Sequence, residues 1–90
     1  MDLAEWKVTV DRPARRDLAR LPAKYSFAVV NLIGALAENP KRVGKPLKFD
    51  LEGNWSARRG PYRVIYAIDE SGKEVMVRKI GHRSDVYRHW

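Results

Sequence analysis

Tyr62-Arg63-Val64-Ile65-Tyr66-Ala67-Ile68, then Asp69-Glu70-Ser71-Gly72, then Glu74-Val75-Met76-Val77-Arg78-Lys79-Ile80, is the stretch that decides the fold. Both outer runs are rich in β-branched and aromatic residues, and the four residues after Ile68 are turn formers, so the stretch predicts a β-hairpin. Side chains alternate along a strand, which places Arg63, Ile65 and Ala67 on one face and Tyr62, Val64, Tyr66 and Ile68 on the other. An arginine inside a strand needs a reason, because its charge must stay hydrated or paired. The chain continues as Gly81-His82-Arg83-Ser84-Asp85-Val86-Tyr87, so a histidine, an arginine and a tyrosine follow the last strand directly. Arginines on neighbouring strands beside proton-transfer groups suit a polyanion, and RNA cleavage is the first reaction to weigh.

Working outward, Trp55–Arg59 is a candidate strand, set off by Gly53-Asn54 before it and Gly60-Pro61 after it. Residues 40–54 read as a basic loop in which Leu47, Phe49 and Leu51, spaced by two, form an extended anchoring segment. Trp6–Val10 alternates as a first strand. Asp11 then caps a helix with Pro13 in its first turn and Ala14, Leu18 and Leu21 along one stripe, ended by Pro22. A second helix spans Ala23–Glu38, with Val29, Val30, Ile33, Leu36 and Ala37 as its apolar face and Gly34 marking close packing on the sheet. Asn39-Pro40 stops it. Ser84–Trp90 is a short tail or helix capped by Ser84. The order β-α-α-β-β-β predicts one α+β domain over residues 1–90: an N-terminal strand, an antiparallel helix hairpin, and a three-stranded antiparallel meander. The second face of the sheet has no helix left to cover it, so that open face presents the arginines.

Ninety residues without a cysteine exclude disulfides, thiolate metal sites and a cysteine nucleophile. The longest apolar run, residues 27–37, is too short to span a bilayer, and the N-terminus has no signal-peptide pattern, so a cytoplasmic protein is expected. There are 18 Lys and Arg against 11 Asp and Glu, a net charge of +7. Residues 41–63 carry seven cations against Asp50 and Glu52, a net +5, so the excess sits among the strands. A basic patch of this kind attracts phosphates or an acidic protein.

Within the patch, Lys45, Lys48, Arg58 and Arg59 are candidate phosphate-binding residues. Arg58 and Arg59 are adjacent in a strand, so only one can share the face of Arg63. A planar guanidinium holds two phosphate oxygens at once, which suits a crowded phosphorane. His82 and Tyr87 are the candidate proton-transfer residues: histidine in general titrates near neutrality, and a tyrosine can serve as a base where cations favour the phenolate. The sequence leaves the choice between them open. No carboxylate cluster or histidine spacing fits a metal, and no phosphate loop or dinucleotide fingerprint is present, so no cofactor is implied.

The chain resembles the RelE toxins of the RelE/ParE superfamily. The likeness runs from Ala14-Arg15-Arg16-Asp17-Leu18 through Val43-Gly44-Lys45-Pro46-Leu47 to Tyr62-Arg63-Val64-Ile65-Tyr66 and Gly81-His82-Arg83-Ser84-Asp85-Val86-Tyr87. It implies a toxin of a type II toxin–antitoxin module that cleaves mRNA on the ribosome. It also implies a RelB-like antitoxin as partner in a hetero-oligomer. By that resemblance Arg63 and Arg83 bind the scissile phosphate, Tyr87 transfers a proton, and Arg58 belongs to a basic pair whose other member is Ser56 here. His82 stands where some members have lysine and others histidine. Two rival readings are a ParE-like inhibitor of DNA gyrase and a non-catalytic RNA- or ribosome-binding module.

Overall fold

The computed structural model describes residues 6–87. Strand β1 covers Lys7–Val10, helix α1 Arg12–Arg20, helix α2 Ala23–Glu38, and a single helical turn α3 Pro40–Val43. Strands β2 (Lys45–Pro46), β3 (Asn54–Arg59), β4 (Tyr62–Asp69) and β5 (Glu74–His82) follow, with a 3-10 turn at Phe49–Leu51. The five strands form one sheet in the order β1-β5-β4-β3-β2. The α+β order and the β3-β4-β5 meander are those the sequence predicts. The place of β1 is new information: it lies parallel to β5, from Lys7 opposite Glu74 to Val10 opposite Val77.

Both helices pack on one face of the sheet, α1 over β5 and α2 over β1, β3 and β4. Val64 and Tyr66 of β4, Ala57 of β3, and Val75, Val77 and Ile80 of β5 meet Ala14, Val29, Leu32 and Leu36 there. Asp11 occupies the N-cap of α1, but its side chain makes no cap bond. Its carboxylate lies 3.9 Å from the Arg78 guanidinium instead. Asp17, on the inward side of α1, accepts the Ile80 N–H at 3.0 Å. Ile80 lies past the end of β1, so this contact satisfies a donor on the otherwise open edge of β5.

Three expectations about α2 and the loop are corrected. The apolar face of α2 is built on Val29, Leu32 and Leu36, and Val30 is 52 % exposed. Helical residues turn about 100° each, so Val30 points away from the sheet that Val29 reaches. Gly34 is exposed, and a Cβ there would meet nothing within 4 Å, so it marks no close packing. Residues 40–54 are largely regular rather than extended, and Phe49 is 88 % exposed with φ 58°, so it anchors nothing.

The second face is also not open at its centre. Arg58 pairs with Arg63, Ser56 with Ile65, and Arg63 with Gly81, so these residues share the face away from the helices. Ile65 is fully buried there. Residues 83–87 form a hydrogen-bonded turn, in which Asp85 and Val86 donate to the His82 carbonyl, both at 2.9 Å. Val86 is buried and lies against Gly81, where a Cβ would come within 3.5 Å of it. The chain thus folds back over the sheet's second face. Residues 88–90 of the expected tail lie outside the described residues.

Candidate active site

A cleft of about 360 Å³ opens between the α3–β2 segment and the second face of the sheet. Its walls are Val43, Gly44, Lys45, Leu47, Ser56, Arg58 and Arg63. One buried tyrosine sets its shape. Tyr66 points into the core beside Trp55, and its hydroxyl donates to the Pro40 carbonyl at 2.6 Å, tying α3 to the sheet. Burial pushes the Tyr66 phenol up to about 12, against a smaller opposing pull from the Gly44 backbone. Gly44 lies so close that a Cβ would strike the Tyr66 hydroxyl and come within 2.8 Å of the Ser56 carbonyl. The lack of a side chain at position 44 is what lets this wall close on β3.

Arg58 and Arg63 face each other directly across β3 and β4. Such neighbours have Cβ atoms about 5 Å apart, where like charges repel. Lys45 adds a third cation through its pairing with Ser56, and the lining contains no carboxylate. Among the described residues, the recorded ion pairs join Lys41 to Glu70 and Arg78 to Asp11, and none involves these three cations. A pocket wall with three cations and no carboxylate has a positive potential. Arg63 is half-buried and Arg58 exposed, so both are accessible from solvent.

Tyr87 joins this cleft. Its hydroxyl donates to Ser56 Oγ at 3.3 Å, which brings the phenol to a residue of the cleft wall. Arg83 is exposed at the start of the turn, and its N–H donates to the Pro61 carbonyl at 2.7 Å. That bond pins the residue to the β3–β4 connection, at the end of the sheet where Arg58 and Arg63 stand. His82 goes elsewhere. It pairs with Tyr62, not with Arg63, so it faces the helices, and its ring meets Tyr62 edge-on at 5.7 Å. Its Nδ1 accepts the Ser84 N–H at 3.2 Å and lies 2.8 Å from Ser84 Oγ. A neighbouring hollow of about 290 Å³ holds His82 with Asp17, Arg20, Lys79 and Asp85. Arg59 faces away from Arg63, and Lys48 is exposed outside the lining of the cleft.

Of the residues the sequence names, Lys45, Arg58 and Arg63 line one cleft and the Tyr87 phenol reaches its Ser56 wall, while Arg83 is placed by its backbone bond to Pro61 and lies outside the lining. The sequence misses the two residues that shape this region, Gly44 and Tyr66, because their meeting spans 22 positions. Ser56 stands out in the sequence only as a gap in a basic pair, whereas in the fold it is what the Tyr87 phenol touches. Among the described residues, no three His, Asp or Glu side chains gather as a metal site.

Residues 8–87 match the family of the ParE toxin of the type II toxin–antitoxin system parDE. The chain is 50 % identical over 84 residues to Toxin RelE of Mycobacterium tuberculosis, an alignment covering 92 % of this chain and 87 % of that protein. It is 49 % identical to Toxin RelG of the same organism, covering 92 % and 97 % of the two. Among solved structures, the RelBE2 toxin–antitoxin complex of M. tuberculosis contains a chain that superposes with a TM-score of 0.83 at 44 % identity, covering 88 % of this chain and 99 % of that one.

Proposed function

We propose a function from one premise: this chain belongs to the RelE/ParE family and is the toxin of a type II toxin–antitoxin module. The reading the cleft supports best is a ribonuclease that cuts mRNA on the ribosome. A single observation carries it: Arg58 and Arg63 stand side by side, without a carboxylate among the cleft walls, and the Tyr87 phenol reaches the Ser56 wall of the same cleft. A gyrase inhibitor needs cations and a binding surface. It needs no phenol brought to a phosphate-sized cationic cleft.

In this mechanism the scissile phosphate lies against Arg63 and Arg58, with Arg83 at the rim. The RNA 2′-OH gives its proton to the Tyr87 phenolate and attacks the phosphorus. The P–O5′ bond breaks, and the 5′-oxygen takes a proton from solvent. The products are a 2′,3′-cyclic phosphate and a 5′-OH. The arginines stabilise the extra negative charge of the phosphorane. The ribosome supplies the substrate alignment that a cleft of about 360 Å³ does not. His82, on the far face, has no part in the step.

The partner is a RelB-like antitoxin. An acidic segment would neutralise the cleft. The same chain would have the exposed Phe27 and Val30 of α2 to bury. The test is to incubate the purified toxin with programmed ribosomes and map the RNA ends, with a supercoiling assay on gyrase alongside. Cleavage leaving cyclic phosphate ends, with gyrase unaffected, is the expected result. Inhibited gyrase with intact mRNA overturns the reading.

A further inference from the structure

Ser56 lies mid-strand in β3, between Lys45 on β2 and Ile65 on β4, and its side chain points to the cleft. The backbone just before Tyr87 is well held: Val86 is buried on Gly81, and its N–H bonds to His82. Tyr87 as a residue is 40 % exposed. Its hydroxyl is held to the sheet through Ser56 Oγ, 31 residues away in sequence. Without that contact, rotation about the side-chain bonds carries the phenol into solvent while the backbone stays in place.

We propose that Ser56 is the positioning residue for Tyr87, holding the phenol over the cleft before and after it takes up the substrate proton. The inference rests on the ribonuclease reading above and adds a residue to it. A hydroxyl is suited to this task because it both accepts and donates. While Tyr87 carries its proton, the phenol donates to Ser56, as observed. Once Tyr87 is a phenolate, the Ser56 O–H rotates and donates to it. The hydrogen bond persists through the transfer, and Ser56 itself neither gains nor loses a proton. A lysine at this position could donate to the phenolate but could not accept from the phenol. It would also add a charge to a cleft that already holds Lys45, Arg58 and Arg63.

The 3.3 Å contact is long for an O–H···O bond, which limits the expected effect. Ser56→Ala should slow single-turnover cleavage of ribosome-bound mRNA by about three- to tenfold, the worth of one modest hydrogen bond. Ser56→Thr keeps the hydroxyl and should restore most of the rate. A second readout needs no catalysis: 3-fluorotyrosine at position 87 of the free protein, followed by ¹⁹F NMR. In Ser56→Ala its resonance should shift and narrow as the ring gains freedom, and in Ser56→Thr it should return toward the wild-type position. An unchanged resonance in Ser56→Ala overturns the proposal, as does a Ser56→Thr rate no better than that of Ser56→Ala. If the wild-type protein cuts no RNA, the ribonuclease reading fails alone, and the fluorine resonance still decides whether Ser56 holds Tyr87.

Discussion

Arg58 and Arg63 face each other across adjacent strands, where like charges repel, so neither is expected to hold the fold together. Arg63→Ala should therefore melt no lower than wild type, and it should lose cleavage by about a hundredfold or more, the scale of one removed transition-state donor. A variant that unfolds instead would make Arg63 a structural residue. Tyr66 behaves in the opposite way. Its phenol is buried neutral and raised to about 12, whereas in the unfolded chain it ionises near the ordinary tyrosine value. Its contribution is thus complete below about pH 10 and is lost as the pH rises toward 12. Tyr66→Phe should cost about 1–3 kcal/mol at neutral pH, because the Pro40 carbonyl loses its donor, and should flatten the alkaline limb of stability. Denaturant titrations of both proteins at pH 8 and pH 11 would check this. Phe49 is held at φ 58° and is 88 % exposed, a conformation that costs an L residue about 1–2 kcal/mol. Phe49→Gly should raise the denaturation midpoint in urea titrations.

At the scale of elements, the hairpin and α2 show what a sequence does and does not disclose. The faces of the β4–β5 hairpin are legible, since alternation separates Val64 and Tyr66 from Arg63. A register shift between Ile65 and Tyr66 escaped notice, because a bulge leaves no mark on composition. Its turn is braced by Asp69, which accepts from the Ser71 hydroxyl at 2.9 Å and the Gly72 N–H at 3.3 Å. Those bonds, the Ser71 hydroxyl first, lower the Asp69 carboxyl. The bracing is therefore present above the ordinary aspartate range and is lost as pH falls below it. Ser71→Ala should move the Asp69 titration upward in carboxyl NMR, and an unmoved titration would contradict that cause. In α2 the helix was legible and its orientation was not. The periodic pattern admits either Val30 or Leu32 into the core, and only packing against the sheet selects Leu32. Gly34 faces solvent with free space around it, so Gly34→Ala should stabilise the protein by about 0.5–1 kcal/mol in thermal melts. The site divided along similar lines. Arg63 and Tyr87 could be named from local pattern, whereas Gly44 against Tyr66 and Tyr87 against Ser56 depend on contacts between distant segments.

At the scale of the whole molecule, the sheet separates two tasks. One face carries the helices and the core. The other carries the cleft, with the chain's last turn folded back across it. Because the cleft stands apart from the core, substitutions among its walls should leave the fold intact. The most direct measurement is mRNA cleavage on programmed ribosomes by wild type, Arg63→Ala and Tyr87→Phe, with RNA ends mapped and thermal stability recorded for each. Wild type should cut and leave a 2′,3′-cyclic phosphate. Both variants should be slower by about a hundredfold or more at unchanged melting temperature. Intact mRNA with folded wild-type protein, or a Tyr87→Phe rate equal to wild type, would contradict the account.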